Sequence, residues 1–398
     1  MRPDARVEAA IICLEQILSG MAAEQALTRW ARGARYAGSG DRAAVRDHVY
    51  DALRQKRSAA ILGGGEDARA LMLGVLRAQM ADTGRDIGSL FSGETHGPDP
   101  LGPAERALVD APLPATLPAD LPEWLLPMLN TQYGADLPSM LDLLRYRAPV
   151  FLRVNLSKST PDQARAQLLV DGVETLPCVL PGALRVTQGA RRISNSRAYQ
   201  DGLVELQDLS SQSAIAALPL PENGRILDYC AGGGGKTLAM AAQIRARFYA
   251  HDANPDRMSD LPERAQRAGV VVQQIKTADL PSEQRFDLVL CDVPCSGSGT
   301  WRRDPDAKWR FDAAALNRLN ATQDSILDAA APLVAQDGVL AYATCSLLRE
   351  ENDARIESFL GRTSGWKLVS SRQWRLGEGA EQPQNGGDGF FVAHLTRE

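Results

Sequence analysis

The chain has 398 residues, a hydrophobic fraction of 44% and a formal net charge of −5. That length predicts two or three domains with a full core, and the absence of any run of about 18 apolar residues argues against a membrane span. The acidic balance argues against a protein that coats nucleic acid by bulk charge, while the clusters Arg145–Arg153, Arg191–Arg197 and Arg302–Arg310 leave room for a local basic face.

Residues 1–60 read as helix. Val7, Ala10, Ile11, Leu14, Ile17 and Leu18 recur at helical spacing. Asp41 is expected to cap a further helix carrying Val45, Val49, Ala52 and Leu53. Its basic residues Arg42, Arg46, Arg54, Lys56 and Arg57 suit a solvated face better than an RNA contact. Gly63–Gly65 interrupts, and another helix is expected over Glu66–Met80. The Gly- and Pro-rich stretch Gly84–Pro122, with a short helix near Pro103–Asp110, reads as a boundary. Helices over Trp124–Tyr133 and Ser139–Tyr146 follow. The next stretch changes character: PVFLRVN, ALRVT and GLVELQD are strand-like, and STPDQARAQLLVDG is a capped helix. This is a small α+β module, RRM-like in pattern but too poor in aromatics to signal base stacking.

From Asn223 strands and helices alternate. RILDYC, ARFYAHD, GVVVQQI, FDLVLCD and DGVLAYATC read as strands, with helices at KTLAMAAQI, Pro255–Ala268 and Asp312–Leu333. Such alternation predicts an α/β fold with a doubly wound, Rossmann-like sheet and right-handed crossovers. Chemistry is then expected just past the carboxyl ends of the strands.

Those ends carry a consistent set of residues. The first strand runs into Cys230, Ala231, Gly232, Gly233, Gly234, Gly235 and Lys236. Glycines there let backbone approach a ligand. The phosphate-loop pattern fails because Cys230 stands at its first glycine position, and G-x-G-x-x-G fails at Thr237. An acid plus a glycine turn without phosphate motifs suits a nucleoside cofactor. Asp252 ends the second strand, where it can accept from ribose hydroxyls. Asp279 follows the third, where it can take a nucleobase amine. S-Adenosylmethionine matches this set. Asp292 and Cys295 end the fourth strand and Cys345 the fifth. A thiolate can add to carbon-6 of cytosine and make carbon-5 nucleophilic, a neighbouring acid can bind the base, and a second thiol can assist product release. The remaining cysteines, Cys13, Cys178, Cys230 and Cys291, form no C-x-x-C pair, and the chain has only four histidines. A structural zinc site and a disulfide framework are therefore not expected.

The segments DYCAGGGGKT, DVPCSGSGTWRRDP and YATCSLLREEND resemble those of the Nop/Sun family of RNA cytosine-5 methyltransferases, nearest to the bacterial RsmB type. The resemblance covers roughly residues 140–398 well; the helical N-terminus resembles a shortened NusB-like domain more faintly. It implies three regions: 1–120 helical, 121–205 a small α+β RNA-binding module, and 206–398 an S-adenosylmethionine-dependent methyltransferase domain. It implies Cys345 as the nucleophile, Cys295 in product release, Asp292 on the base and near the cofactor, and Lys236 orienting the acids. Cys230–Lys236 would form the cofactor loop, with Asp252 on ribose and Asp279 on adenine. The substrate would be RNA, with small-subunit rRNA first and tRNA or another RNA as the alternative. Base flipping would bring the target cytosine to the pocket.

One departure stands out: Gly232 and Gly233 replace the family's usual Ala and Pro, which predicts a less preorganised loop and weaker cofactor binding. A catalytically weak RNA-binding assembly factor is the reading that follows if binding is lost. Trp301, Arg302, Arg303, Lys308, Trp309 and Arg310 either hold RNA phosphates and splayed bases or pack and solvate the fold. No membrane, no metal and a monomeric state are expected. MRPDARVEAA lacks the apolar stretch of a signal peptide, which points to the cytoplasm.

Overall fold

The computed structural model describes residues 1–81, 86–280 and 285–398. The chain forms two compact units, Met1–Arg147 with Trp301–Arg310, and Ala148–Thr300 with Phe311–Glu398.

The first unit is helical: α1 (Pro3–Leu18), α2 (Ala23–Gly33), α3 (Ser39–Arg54), α4 (Lys56–Gly63), α5 (Ala68–Met80), α6 (Pro103–Asp110), α7 (Leu126–Tyr133) and α8 (Leu137–Leu143). The stripe Val7, Ala10, Ile11, Leu14 and Ile17 is buried with Val45, Val49 and Ala52 in one core, as the helical spacing requires. α4 and α5 meet backbone to backbone, since a Cβ on Gly74 would lie 2.0 Å from the Ala59 carbonyl oxygen. Asp41 does not cap α3. The helix starts two residues earlier, and Asp41 reaches back from its third position to accept from the Gly38 N–H (3.2 Å) and pair with Arg6 (2.8 Å). The start of the expected boundary stretch, Gly84 and Arg85, lies outside the described residues.

The second unit opens with β1 (Val150–Val154), α9 (Pro161–Val170), β2 (Glu174–Pro177), β3 (Ala183–Gln188), α10 (Arg197–Gln200) and β4 (Val204–Leu206). The strands form an antiparallel sheet in the order β2-β3-β1-β4. Leu152, Val154, Leu184 and Val204 pack on Ala164 and Leu168 of α9. Thr160 caps α9, and Gln163 answers it in a reciprocal capping box.

The chain continues through α11 (Leu209–Ala216), β5 (Arg225–Asp228), α12 (Gly235–Ala241), β6 (Arg247–Ala250), α13 (Leu261–Ala268), β7 (Val272–Gln274) and β8 (Phe286–Asp292). It contributes α14 (Pro305–Arg310) to the helical unit and returns with α15 (Ala313–Ala330), β9 (Val334–Thr344), α16 (Asp353–Arg362), β10 (Trp366–Trp374) and β11 (Phe390–Arg397). The sheet order is β10-β11-β9-β8-β5-β6-β7, parallel from β7 to β9, with β11 antiparallel to both neighbours. Ile226, Leu227, Leu288, Val289 and Leu290 are fully buried, which is why these strands read as apolar runs rather than alternating ones. The order reverses between β5 and β8, so the ligand crevice of a doubly wound sheet lies past their carboxyl ends.

The segment after Thr300 divides between the two accounts offered for it, with Arg303 and Arg310 exposed and Trp309 half-buried. Trp301, Arg302 and Lys308 are buried. The Arg302 carbonyl accepts from Arg54 Nε (2.8 Å), Lys308 Nζ donates to the Arg54 carbonyl (3.1 Å), and Trp309 Nε1 donates to the Leu53 carbonyl (2.6 Å). These side chains hold the helical unit together. Arg54, read as part of a solvated face, is buried among them.

Candidate active site

β8 and β9 are parallel neighbours with Asp292 opposite Ala343. Past their ends the loops stay paired: Val293 N–H donates to the Ala343 carbonyl (3.0 Å), and Gly299 N–H to the Cys345 carbonyl (2.9 Å). Cys295 Sγ and Cys345 Sγ lie 3.5 Å apart as free thiols. The hydrogen bond they share, followed by burial, pushes the Cys295 thiol well above its ordinary range.

A carboxylate that the sequence reading passed over fixes both loops. Glu351 is fully buried. It accepts from the Ser296 N–H (2.8 Å), Ser296 Oγ (2.5 Å), Ser346 Oγ (2.6 Å) and Gln323 Nε2 (3.1 Å). It thus binds the residue that follows each cysteine.

Lys236, in the first turn of α12, donates to Asp292 Oδ2 at 2.5 Å and lies 5.1 Å above the Phe390 ring. Burial alone would lower the ammonium's pKa; the Asp292 carboxylate outweighs it and the net shift is upward. Lys236 is close enough to Cys345 for their charges to interact. Asp292, Lys236, Cys295 and Cys345 therefore share one locus.

The cofactor-loop residues form the adjoining wall. Gly232 and Gly234 have φ of 49° and 78°, left-handed values that favour glycine. Ala231 N–H donates to the His251 carbonyl (2.9 Å) and Gly232 N–H to Asp252 Oδ2 (3.0 Å). Asp252 is buried, and its other oxygen accepts from the Asn254 N–H (2.9 Å). Oδ2 also pairs with Arg257 Nη1 at 3.6 Å, while Oδ1 keeps a further lone pair for a hydroxyl donor. Cys230 is partly buried against the sheet core, and burial raises its thiol pKa. Asp279 sits exposed in a single turn after β7. That turn is tied back by His251, whose Nδ1 meets the Tyr229 carbonyl (2.7 Å) and whose Nε2 meets Thr277 Oγ1 (2.9 Å). A carbonyl only accepts, so Nδ1 carries a proton. The donor set of backbone turn, buried Asp252 and exposed Asp279 fits a nucleoside with a free ribose edge. Among the described residues no group of three or more His, Cys, Asp or Glu is placed to hold a metal. No described helix is long and apolar enough to cross a membrane.

Residues 215–396 match the family model for the 16S rRNA methyltransferases RsmB/F, and residues 121–191 match the ferredoxin-like domain of the RsmF/B-like methyltransferases. The chain belongs to the RsmB/F methyltransferase family. It is 35% identical over 286 residues to the ribosomal RNA small subunit methyltransferase B of Photorhabdus laumondii, a match covering 69% of this chain and 66% of that protein. With the protein of the same name from Escherichia fergusonii the identity is 36% over 293 residues, covering 70% and 66%. The matches thus span just under two thirds of these relatives' length. In fold, the chain is similar to NSun6 from Pyrococcus horikoshii with SFG, at a TM-score of 0.60 and 18% identity over 69% of this chain and 98% of that one.

Two further residues that the sequence reading did not single out touch the family's glycine loop. Arg153 of β1 donates to the Gly235 carbonyl (3.0 Å), and Arg264 of α13 donates to the Gly233 carbonyl.

Proposed function

We propose that the chain is an S-adenosylmethionine-dependent methyltransferase acting on carbon-5 of a cytosine in RNA, with small-subunit rRNA as its substrate. The observation that carries this reading is the pair of thiols 3.5 Å apart at the ends of adjacent parallel strands, beside the Asp292–Lys236 pair. The cofactor supplies an electrophilic methyl group. Asp252 would hold its ribose, Asp279 its adenine edge, and Cys230–Lys236 the remainder.

The chain's own groups do the rest. Cys345, with Lys236 supplying positive charge beside it, gives an electron pair to carbon-6, and the ring's π electrons move to carbon-5. Asp292 holds the base through its polar edge, and Lys236 fixes Asp292 in place. After carbon-5 has taken the methyl group, its proton must leave and the carbon–sulfur bond must break. Cys295 holds its proton at neutral pH and sits next to the departing sulfur. It passes that proton to Cys345 and takes up the carbon-5 proton, so both thiols end protonated. Loss of one proton from Cys345 to solvent resets the site.

The roles separate experimentally. Cys345→Ala abolishes methyl transfer to bulk rRNA; retained transfer removes it as the nucleophile. Cys295→Ala accumulates a protein–RNA adduct stable to SDS; an active variant with no adduct reverses the division of labour. Within this reading, residues 1–120 are an N-terminal helical region, 121–205 an RNA-binding module and 206–398 the catalytic domain. The chain acts in the cytoplasm as a monomer, and sedimentation at micromolar concentration tests the monomeric state. The Gly232–Gly233 loop favours a second reading, an RNA-assembly factor that binds the cofactor weakly. Calorimetry with S-adenosylhomocysteine decides between the two.

A further inference from the structure

The glycine loop carries no side chain from Gly232 to Gly235, so within it backbone freedom is limited by the Gly234 N–H bond to the Ala231 carbonyl (2.8 Å) and not by side chains. Further order must come from outside. Arg264 donates from Nη1 to the Gly233 carbonyl, and Arg153 from Nη1 to the Gly235 carbonyl at 3.0 Å. Both guanidinium groups are themselves held. Arg264 Nη2 lies 3.4 Å from Glu205 Oε1, and Arg267, one turn along α13, lies 3.2 Å from Glu205 Oε2 and over the Tyr199 ring. Glu205 is a buried residue of β4. Arg153 also donates to Gln207 Oε1 at 2.5 Å. The small antiparallel sheet therefore reaches the loop through one buried carboxylate and two cations.

The geometry at Gly233 is informative. A Cβ built there would lie 2.8 Å from Arg264 Nη1, and nothing else comes within 4 Å. Gly233 does not have a positive φ, so an L-residue fits its backbone. The guanidinium thus occupies the space that a side chain at 233 would take.

We propose that Arg264, held by Glu205, is the positioning residue that orders the glycine loop for the cofactor, doing from outside what side chains at 232 and 233 would do from within. This rests on the reading that the loop binds S-adenosylmethionine. On this reading a charge-assisted hydrogen bond removes freedom that the two glycines would otherwise leave to the loop.

The test is a double-mutant cycle read by S-adenosylhomocysteine calorimetry and by hydrogen–deuterium exchange of the ligand-free chain. Arg264→Ala weakens binding about tenfold, the loss of one charge-assisted hydrogen bond, and speeds exchange at the amides of 232–236 without ligand. Gly233→Ala weakens binding in the wild-type background, because its Cβ displaces the guanidinium. In the Arg264→Ala background the same substitution strengthens binding, because the space is open and alanine narrows the loop's freedom. Glu205→Gln reproduces part of the Arg264→Ala exchange effect without touching the loop. Arg264→Lys keeps the charge but not the two-pronged reach, and serves with the same sign pattern if the alanine variant does not fold. Equal effects of Gly233→Ala in both backgrounds, or unchanged loop exchange in Arg264→Ala, overturn the proposal. A wild-type chain that binds no S-adenosylhomocysteine overturns the cofactor reading instead, and the exchange comparison still decides whether Arg264 orders the loop.

Discussion

Replacing Glu351 by Ala should drive the two thiol-bearing loops apart. The carboxylate accepts four hydrogen bonds from Ser296, Ser346 and Gln323. The two serine hydroxyls can re-pair, since Ser296 Oγ and Ser346 Oγ are already 3.3 Å apart and Ser298 Oγ is 3.0 Å from Ser346. The Ser296 N–H cannot. The Gln323 amide keeps its bond to the Pro294 carbonyl (2.9 Å), so the half-buried Ser296 N–H is the donor left without an acceptor, and the variant loses about 1–3 kcal/mol. The separation of the sulfurs reports the local effect. Oxidation by a diazenedicarboxamide takes two electrons and two protons from the Cys295 and Cys345 thiols and joins the sulfurs. To form that bond they must close from 3.5 Å to about 2.05 Å. Peptide mapping without reductant should show the Cys295–Cys345 disulfide forming several-fold more slowly in Glu351→Ala than in the wild type. A variant that oxidises at the wild-type rate and melts at the wild-type temperature would refute the role given to this carboxylate.

Two further predictions concern buried charge. Burial raises Asp228 to about 7 from an ordinary 3.8, so the folded chain holds a proton that the unfolded chain releases. The stability this gives is full below pH about 4 and is lost as pH rises through 7, about 4 kcal/mol in all. Asp228→Asn should remove that slope, and urea midpoints of the two proteins that stay parallel from pH 4 to 8 would contradict it. Lys308 is shifted the other way, lowered by burial to about 7 from 10.5. The folded chain prefers the neutral amine, so its contribution is full above pH about 10.5 and about 4 kcal/mol of it is lost as pH falls from 10 to 7. Lys308→Met should flatten that dependence in thermal melts, and an unchanged difference between pH 7 and 10 would show the amine to be neutral for another reason or not at all.

What the sequence disclosed follows physical lines. β8 was legible because a strand buried on both faces reads as a bare apolar run, and Asp292 and Cys295 fall where that run stops. β9 and Cys345 were legible for the same reason. Glu351 was not, because LLREEND has the composition of a solvated turn. Its carboxylate is buried by the serines of two loops that only the sheet brings together. Arg264 lies on PERAQR, an amphipathic helix whose charged face looks like any other. β10 shows no periodicity because residues 367–372 are exposed on an edge strand. Composition could not settle Trp301–Arg310. Arginine and tryptophan serve RNA and packing equally, and the partners that decide, Leu53 and Arg54, lie about 250 positions earlier in the chain.

The unpredicted C-terminal strands bear directly on the site. β11 begins at Phe390, whose ring lies beneath the Lys236 ammonium. The residue before it, Gly389, donates to the Gly299 carbonyl at 3.0 Å, while Gly299 donates to the Cys345 carbonyl at 2.9 Å. A Cβ on Gly299 would lie 2.2 Å from the Gly389 carbonyl oxygen, so only glycine lets the Cys295 loop lie flat between the end of β9 and the start of β11. Sheet register, with Asp292 opposite Ala343 and Ala343 opposite Val392, thus brings the two thiol-bearing loops together, and the Glu351 hydrogen bonds hold them there. Side chains alternate faces along a strand. One residue inserted between Val339 and Thr344 would therefore turn Cys345 away from Cys295 while leaving Lys236, Asp292 and both cysteines in the sequence.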